Sequence, residues 1–101
     1  MKENQDHLNL LRKISKKPSR SQRKLASELG FSLGKLNYCL NALKLKGLVK
    51  IKNFRNNKNK INYIYALTPR GMSKKAKLTV NFMKRKMKEY EELKSELNNN
   101  Q

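Results

Sequence analysis

Residues 21–47 have the sequence SQRKLASELGFSLGKLNYCLNALKLKG, which predicts two helices joined by a three-residue turn. Ser21 is a suitable N-cap for a short helix over residues 22–29, because its hydroxyl can accept a hydrogen bond from a free amide of the first turn. Gly30 is expected to end that helix, since glycine adopts the left-handed backbone conformation without strain. Ser32 can cap a second helix only two residues later. This spacing is typical of the helix-turn-helix of DNA-binding proteins.

The apolar residues of both helices recur at helical spacing and mark the faces that we expect to be buried. These residues are Leu25, Ala26, Leu29, Leu36, Cys39, Leu40 and Leu43. The second helix should end at Lys46, with Gly47 in the left-handed conformation and Leu48 folding back onto the helix. Because Cys39 lies on the buried side, we expect it to be a small core residue rather than a redox sensor.

The segments on either side complete the order of elements. Asp6 is predicted to N-cap a first helix that is broken at Lys16–Ser19. The buried face of this helix should carry His7, Leu10, Leu11 and Ile14. After the second helix of the motif, the apolar periodicity changes from 3.6 to 2 over residues 49–54 and again over 61–67, which predicts the two strands of a β-hairpin. The polar, basic segment Arg55–Lys60 is the expected turn.

A long last helix follows the hairpin. Thr68 and Pro69 form an N-cap and a first helical residue, and neither glycine nor proline occurs from Met72 onward. The predicted fold class is therefore mainly α with a small β-hairpin (α+β), a winged helix-turn-helix domain followed by a long C-terminal dimerisation helix. The predicted boundaries are 6–68 for the DNA-binding domain, with the recognition helix at about 33–46 and the wing at about 49–67, and 69–98 for the dimerisation helix.

Apolar residues of the last helix alternate at spacings of four and three, which is the seam of a coiled coil. The predicted dimer interface consists of Val80, Met83, Met87, Tyr90 and Leu97. A basic run over residues 84–88 precedes an acidic run over 89–96, so two such helices would attract each other if they crossed antiparallel where the runs meet, and repel each other if parallel. The alternative is that the proximal part, through about Met83, packs on the first helix, as we expect for Leu78 and Phe82.

The charge distribution indicates a polyanionic partner. The 101 residues carry a formal net charge of +18, and the sixty residues from Leu29 to Lys88 contain sixteen Lys or Arg and no acid. Such unrelieved positive charge favours nucleic acid or an anionic membrane. A membrane-binding helix would need bulky aromatic anchors, and the chain has no Trp. We expect double-stranded DNA as the partner. The alternatives are an RNA-binding or ribosome-associated basic protein and an adaptor that binds another protein through the last helix.

The composition argues against several other classes. One His and one Cys cannot form a metal site of the ordinary type, the acids are spaced as on a solvated face, and the sequence contains no glycine-rich phosphate loop. We expect no enzymatic activity, no metal and no cofactor. The longest apolar run, Tyr63–Leu67, has five residues and is too short for a membrane span or a signal peptide. Together with the single cysteine, this predicts a cytoplasmic protein that associates with the nucleoid by binding DNA.

The residues expected to contact DNA lie on the second helix of the motif, at helix N-termini and at the hairpin tip. They are Ser21, Gln22, Ser32, Leu33, Gly34, Lys35, Asn37, Tyr38, Asn41, Lys44, Arg55, Lys58 and Lys60. Asn37 and Asn41 lie one turn apart, and each can make paired hydrogen bonds to an adenine edge. Tyr38 can bind a phosphate or contact a thymine methyl, and Gly34 lets the backbone approach the bases. The structural alternatives are an Asn-rich surface, a tolerated glycine, plain helix capping and an ordinary solvated turn.

Several motifs resemble those of a known family. SQRKLA and LGFS within residues 21–32, KGLV at 46–49 and LTPRG at 67–71 resemble the MarR family of bacterial winged-helix transcription regulators. The run SLGKLNYCL at 32–40, with the Lys/Glu-rich last helix, is similar to a small subgroup of exopolysaccharide-associated regulators. The resemblance implies a transcription regulator, and the subgroup implies exopolysaccharide genes as targets. A two-fold homodimer would place two recognition helices one DNA turn apart, which predicts a pseudo-palindromic operator.

One departure from the family concerns small ligands. Full-length members have additional N- and C-terminal helices that build the dimer and a ligand pocket, whereas this sequence shows one C-terminal helix. We therefore do not expect a small-molecule effector, and binding of such an effector is the alternative.

Overall fold

The computed structural model describes residues 2–16, 21–57 and 60–99, with side chains except those of Lys2 and residues 53–64. The elements are α1 (Lys2–Lys16), α2 (Gln22–Leu29), α3 (Leu33–Leu45), β1 (Val49–Asn57), β2 (Lys60–Leu67) and α4 (Pro69–Asn99). The strands form one antiparallel hairpin. The predicted fold class is confirmed: a mainly α winged helix-turn-helix with a small hairpin and a long C-terminal helix.

Helices α2 and α3 begin and end at the residues that their capping signals predict. The Ser21 and Ser32 hydroxyls accept hydrogen bonds from the amides three residues later, at 3.2 Å and 3.1 Å. Gly30 and Gly47 follow the two helices with φ of 71° and 72°. The amide after each glycine donates to the carbonyl five residues earlier, at 2.9 Å in both cases. Each helix is therefore closed by its own backbone, and α3 starts immediately after the turn.

The core combines apolar side chains from all four helices with the base of the hairpin. The largest fully buried side chains are Leu10, Leu11, Ile14, Leu25, Leu36 and Leu43. Tyr65 of β2 and Leu78 of α4 are also buried. Cys39 is buried as predicted, and burial raises the pKa of its thiol, which keeps it protonated at neutral pH. Burying a leucine of this kind contributes about 1.5–3 kcal/mol, so these few residues account for much of the stability of the domain.

The first helix begins earlier than predicted. Helix α1 starts at Lys2, so Asp6 lies inside the helix rather than at its N-cap. Residues 2–5 are compatible with a helix, and Glu3 lies in the first turn, where a negative charge favours the helix dipole. The Asp6 carboxylate pairs instead with the Lys35 ammonium of α3, at 3.1 Å. The predicted cap was wrong because no helix breaker precedes Asp6 and its actual partner is distant in sequence.

The strands of the wing are longer than predicted. Strand β1 continues to Asn57 and β2 begins at Lys60, so most of the predicted turn Arg55–Lys60 belongs to the hairpin ladder. Asn57 pairs with Lys60, and the register shifts between Arg55 and Asn57. The polar composition of residues 55–60 did not reveal these longer strands, because the hydrogen bonds between paired strands join backbone atoms and not side chains. The predicted tip residue Lys58 lies outside the described residues.

The C-terminal end of α3 and the N-terminal end of α4 pack backbone against backbone. Thr68 is the N-cap, as predicted: its hydroxyl accepts a hydrogen bond from the Gly71 amide at 3.0 Å and donates to the Gly47 carbonyl at 2.6 Å. The Thr68 amide donates to the Leu48 carbonyl at 3.0 Å. A Cβ on Gly71 would lie 1.9 Å from that carbonyl oxygen, so no side chain fits there. The long helix is therefore anchored directly to the end of α3.

Helix α4 extends well past the core. Its 31 residues span about 46 Å, and the molecule measures 69 × 26 × 20 Å. Leu78 is buried and Phe82 is partly buried against the core, as predicted for the part of the helix that packs beside α1. Every described residue from Met83 onward is exposed. The distal half of the helix therefore contributes nothing to the core of its own chain.

Replacing Gly71 by alanine should lower the free energy of unfolding by about 2 kcal/mol or more, because the added methyl would overlap the Leu48 carbonyl oxygen. Gly34→Ala is the matched control. A Cβ there meets only the Ser32 hydroxyl, at 4.0 Å, so the loss of a helical glycine should raise stability by about 0.5–1 kcal/mol. Urea unfolding followed by circular dichroism measures both. Equal stability of Gly71→Ala and wild type would contradict the backbone contact.

The stability of the fold should depend on the protonation of His7, which is buried in α1. Burial lowers its pKa from the usual 6.5, and the charge of Lys46 acts in the same direction, against opposing contributions from Glu3 and Asp6. The unfolded chain therefore binds this proton more readily. The stabilisation from neutral His7 is fully present above pH 6.5 and is lost as the pH falls below it toward the folded pKa.

We expect the urea midpoint of wild type to fall more between about pH 7.5 and about pH 5.5 than that of His7→Leu. The variant retains all seven acids and so controls for their titration. An identical pH dependence of the two proteins would show that His7 does not contribute.

Candidate nucleic-acid interface

One face of α3 is free of the core and carries most of the residues predicted for base recognition. Leu36, Cys39, Leu40 and Leu43 are buried on the other face. The exposed residues are Leu33, Gly34, Asn37, Tyr38, Asn41, Lys44 and Leu45. Leu45, which is 89% exposed, was not predicted as part of this surface. Its helical position opposite the buried leucines was the signal that could have identified it.

Two carboxamides dominate the middle of this face. Asn37 and Asn41 are both exposed, so their donors and acceptors are open to solvent. They lie four residues apart, which is about 6 Å along the helix axis. Tyr38 lies between them in sequence and is 68% exposed. Base pairs follow one another at about 3.4 Å along the duplex axis, so this separation corresponds to roughly two base-pair steps along a major groove.

Gly34 lies in the first turn of α3, and the fold does not require a glycine there. Among the described residues, positive φ occurs at Gly30 and Gly47 and not at Gly34. The space around Gly34 is also open, since a Cβ would meet only the Ser32 hydroxyl at 4.0 Å. Glycine costs a helix about 1 kcal/mol relative to alanine. A glycine without a role in the fold is consistent with close approach of a partner to this turn.

The predicted phosphate ligands at helix N-termini also hold the domain together. Ser21 and Ser32 accept the capping bonds of α2 and α3, which leaves each hydroxyl proton available for a further acceptor. The Gln22 side-chain amide donates to the Tyr65 hydroxyl at 2.5 Å. This hydrogen bond joins the start of α2 to β2 of the wing. The sequence pattern did not indicate that Gln22 has this structural role.

Lys35 is engaged within the domain. Its ammonium lies 3.1 Å from the Asp6 carboxylate and 4.4 Å from the centre of the Phe31 ring. The side chain of Lys35 is 39% exposed and that of Asp6 is 19% exposed. Lys35, predicted as a DNA contact, is therefore held between α1 and the turn before α3 rather than projecting with Asn37 and Asn41.

Additional exposed basic side chains lie on β1 and α2 and were not included in the prediction. Lys50 and Lys52 are exposed on β1, where the intervening Ile51 packs against the core. Arg23 and Lys24 are exposed in the first turn of α2. The alternation of lysine with Val49 and Ile51 was a usable signal, because neighbouring strand residues lie on opposite faces. Arg55 and Lys60 lie on the paired strands, and their side chains are outside the described part.

The predicted dimer residues form an exposed apolar stripe along α4. Val80 is 48% exposed, and the exposure rises to 65% at Leu97. The stripe comprises Val80, Met83, Met87, Tyr90 and Leu97, with Leu93 beside it. Its proximal end opens into an apolar groove of about 620 Å³ between the end of α1, the end of β2 and α4, where Ile14, Leu67 and Val80 are among the lining residues. The stripe and the groove form one continuous apolar surface.

Within the described ranges, no helix is long and apolar enough to cross a membrane. The same residues contain no cluster of three or more His, Cys, Asp or Glu side chains that could hold a metal ion.

Comparison with known proteins agrees with this geometry. Residues 7–50, from α1 to the start of β1, match the family model described as winged helix-turn-helix DNA-binding. The chain has the winged helix-turn-helix fold. No curated protein sequence matches it. Helices α2 and α3 are thus the helix-turn-helix, and the β1–β2 hairpin is the wing.

Solved structures share this fold over most of the chain. The PcaV transcriptional regulator from Streptomyces coelicolor, with its natural ligand, is 17% identical with a TM-score of 0.67, over 77% of this chain and 54% of that one. FabT from Streptococcus pneumoniae, in complex with DNA, is 21% identical with a TM-score of 0.62. The match covers 85% of this chain and 58% of FabT. MarR from Staphylococcus aureus, with salicylate and kanamycin, is 17% identical with a TM-score of 0.67. The match covers 85% of this chain and 56% of that MarR chain. The winged helix-turn-helix chain thus spans little more than half the length of each.

Proposed function

We propose that this protein is a MarR-type transcription regulator that binds duplex DNA sequence-specifically through the exposed face of α3. The observation that carries the proposal is the composition of that face, where exposed carboxamides and a tyrosine surround a glycine without a role in the fold. The face lies within a sixty-residue segment that contains no acid. The match to a winged helix-turn-helix DNA-binding model supports the same function.

In the proposed complex α3 lies in the major groove, which is about 12 Å wide and admits a helix. Asn37 and Asn41 donate to and accept from base edges, and Gly34 allows the first turn to lie close to them. Ser21 and Ser32 donate their hydroxyl protons to phosphates while their oxygens continue to cap the helices. The caps hold each hydroxyl at a defined position, so these contacts set the depth and angle at which α3 enters the groove.

The wing supplies positive charge beside the recognition helix. Lys50 and Lys52 are exposed on β1, and the predicted tip residues Arg55, Lys58 and Lys60 continue the same basic segment. Lysine and arginine neutralise phosphates without regard to base sequence and make binding strongly dependent on salt. In this proposal the wing provides the part of the DNA affinity that does not depend on base sequence, and α3 provides the preference for particular sequences.

We further propose that the protein acts as a homodimer joined through α4. The exposed stripe from Val80 to Leu97 would otherwise remain in water, and burying apolar surface is worth about 25 cal/mol per Å². Lys84 and Glu91 flank the stripe on the same side, one heptad apart. In an antiparallel pair in which Met87 packs near the partner's Tyr90, each Lys84 faces the partner's Glu91. A parallel in-register pair would place like charges together.

A two-fold dimer places two recognition helices against successive major grooves, about 34 Å apart, and this geometry favours a pseudo-palindromic operator. The resemblance of residues 32–40 to exopolysaccharide-associated regulators supports exopolysaccharide genes as the targets. Binding to chromosomal DNA would place the protein in the cytoplasm, at the nucleoid.

Binding to duplex DNA should weaken steeply with salt. A dimer that neutralises about 6–10 phosphates loses about 10³–10⁵-fold in affinity between 50 and 200 mM salt. On a duplex selected for tight binding, Asn41→Ala should cost about 1–3 kcal/mol, with little change on a random duplex. Lys58→Ala is the matched control and should weaken binding to both duplexes equally. Fluorescence anisotropy titrations measure all of these. Equal losses on the two duplexes for Asn41→Ala would show that the recognition face is misplaced.

Met87→Glu should convert the dimer to a monomer, because it places a charge in the middle of the apolar stripe. Ser95→Glu is the matched control, since it introduces the same side chain on the same helix outside the stripe. Sedimentation velocity at micromolar concentration measures the oligomeric state. A monomeric wild type, or a dimeric Met87→Glu protein with full DNA affinity, would contradict the α4 dimer.

A further inference from the structure

We infer that the exposed face of α3 is specific for A·T base pairs in the major groove, so that the operator is rich in A·T where α3 contacts it. This inference rests on the proposed function and specifies its substrate. Three features of the face carry it: the carboxamides, the exposed apolar side chains, and the shortage of free positive charge at the N-terminal end of the helix.

Guanine is recognised most often by arginine or lysine, which binds its O6 and N7 atoms together. Helix α3 has the sequence LGKLNYCLNALKL and contains no arginine. Of its two lysines, Lys35 is held 3.1 Å from Asp6, within the domain. Lys44 is exposed but lies in the last turn of the helix, whereas recognition helices contact bases mainly through their N-terminal residues. The lysine nearest the N-terminal end of α3 is therefore already paired with a carboxylate, which disfavours its use for guanine.

Adenine is recognised by asparagine, whose carboxamide donates to N7 and accepts from the N6 amino group. Asn37 and Asn41 are exposed on successive turns of α3. The two side chains can therefore contact different base pairs in the same groove. Each can make this paired contact with adenine, whereas guanine offers two acceptors and no donor on its major-groove edge.

The thymine methyl group is the one apolar feature of the major-groove edges. Leu33 and Tyr38 are 42% and 68% exposed on the face that carries the carboxamides. Leu33 lies beside Gly34, in the first turn, where the missing side chain permits close approach. An exposed leucine at this point gains free energy by contacting a methyl group and gains none from a cytosine edge. Adenine and thymine are thus both matched by side chains of the same helix.

A preference for A·T can also arise in the minor groove, since narrow A·T-rich minor grooves attract basic side chains such as those of the wing. The two sources are separated by alternating copolymer duplexes. Poly(dI-dC) has the minor-groove edges of A·T but the major-groove edges of G·C. Poly(dA-dU) differs from poly(dA-dT) only in lacking the thymine methyl. With poly(dG-dC) as the fourth duplex, anisotropy competition titrations of the full chain give the relative affinities.

We expect poly(dA-dT) to bind most tightly and poly(dA-dU) to bind about 3–4-fold more weakly for each thymine methyl group that α3 would otherwise cover. Poly(dI-dC) and poly(dG-dC) should both bind at least about 10-fold more weakly than poly(dA-dT), because one good adenine contact is worth about 5–150-fold. Leu33→Ala should bring the poly(dA-dT) to poly(dA-dU) ratio closer to one. Met72→Ala, which removes an exposed apolar side chain on α4 instead of α3, should leave that ratio unchanged.

Two outcomes would overturn the inference and leave duplex binding intact. Equal affinity for all four duplexes would show that α3 does not distinguish A·T from G·C. Tight binding to poly(dI-dC), equal to that of poly(dA-dT), would place the preference in the minor groove. Failure to bind any of the four duplexes would instead overturn the proposed function itself.

Discussion

The contact between Gly71 and the Leu48 carbonyl fixes the position of α4 relative to α3. With no side chain between them, the start of α4 lies against the turn that ends α3, and the Thr68 amide and hydroxyl donate hydrogen bonds to carbonyls of the same turn. Helix α3 carries the face proposed to bind DNA, and α4 carries the stripe proposed to bind a second chain. This backbone contact therefore fixes the orientation of the face proposed to bind DNA relative to the stripe proposed to bind a second chain.

The polar side chains near α3 divide into those that support the fold and those that remain free. The Lys35 ammonium pairs with the Asp6 carboxylate, and the Gln22 side-chain amide donates a hydrogen bond to the Tyr65 hydroxyl. The first interaction links α3 to α1, and the second links α2 to β2. Asn37 and Asn41 remain exposed on the opposite face of the core leucines. This division matters for the proposed specificity, because a Lys35 ammonium without the Asp6 carboxylate would add affinity for any phosphate or guanine beside the carboxamides. The Asp6–Lys35 pair offsets the positive charge in the first turn of α3, within a strongly basic protein.

The features predicted correctly from sequence depend on neighbours a few residues away. Ser21, Gly30 and Ser32 cap or end helices through bonds to amides and carbonyls within five residues, so their spacing was sufficient. Asp6 was assigned a local cap and instead pairs with Lys35, and the hairpin continues to Asn57 although its composition resembles a turn. These features depend on partners brought close by the fold or on backbone pairing, and residue type carries little information about either. The face of α3 was predictable because helical periodicity separates it from the core leucines, except at Leu45.

The central claim is that the exposed face of α3 recognises the sequence of duplex DNA. Selection of bound sequences from a pool of random duplexes tests it most directly, because the experiment assumes neither an operator nor a gene. We expect an enriched pseudo-palindrome whose half-sites are centred about one helical turn apart, with both half-sites changing when Asn37 or Asn41 is replaced. No enrichment from the duplex pool, combined with tighter binding to RNA of similar length, would contradict it.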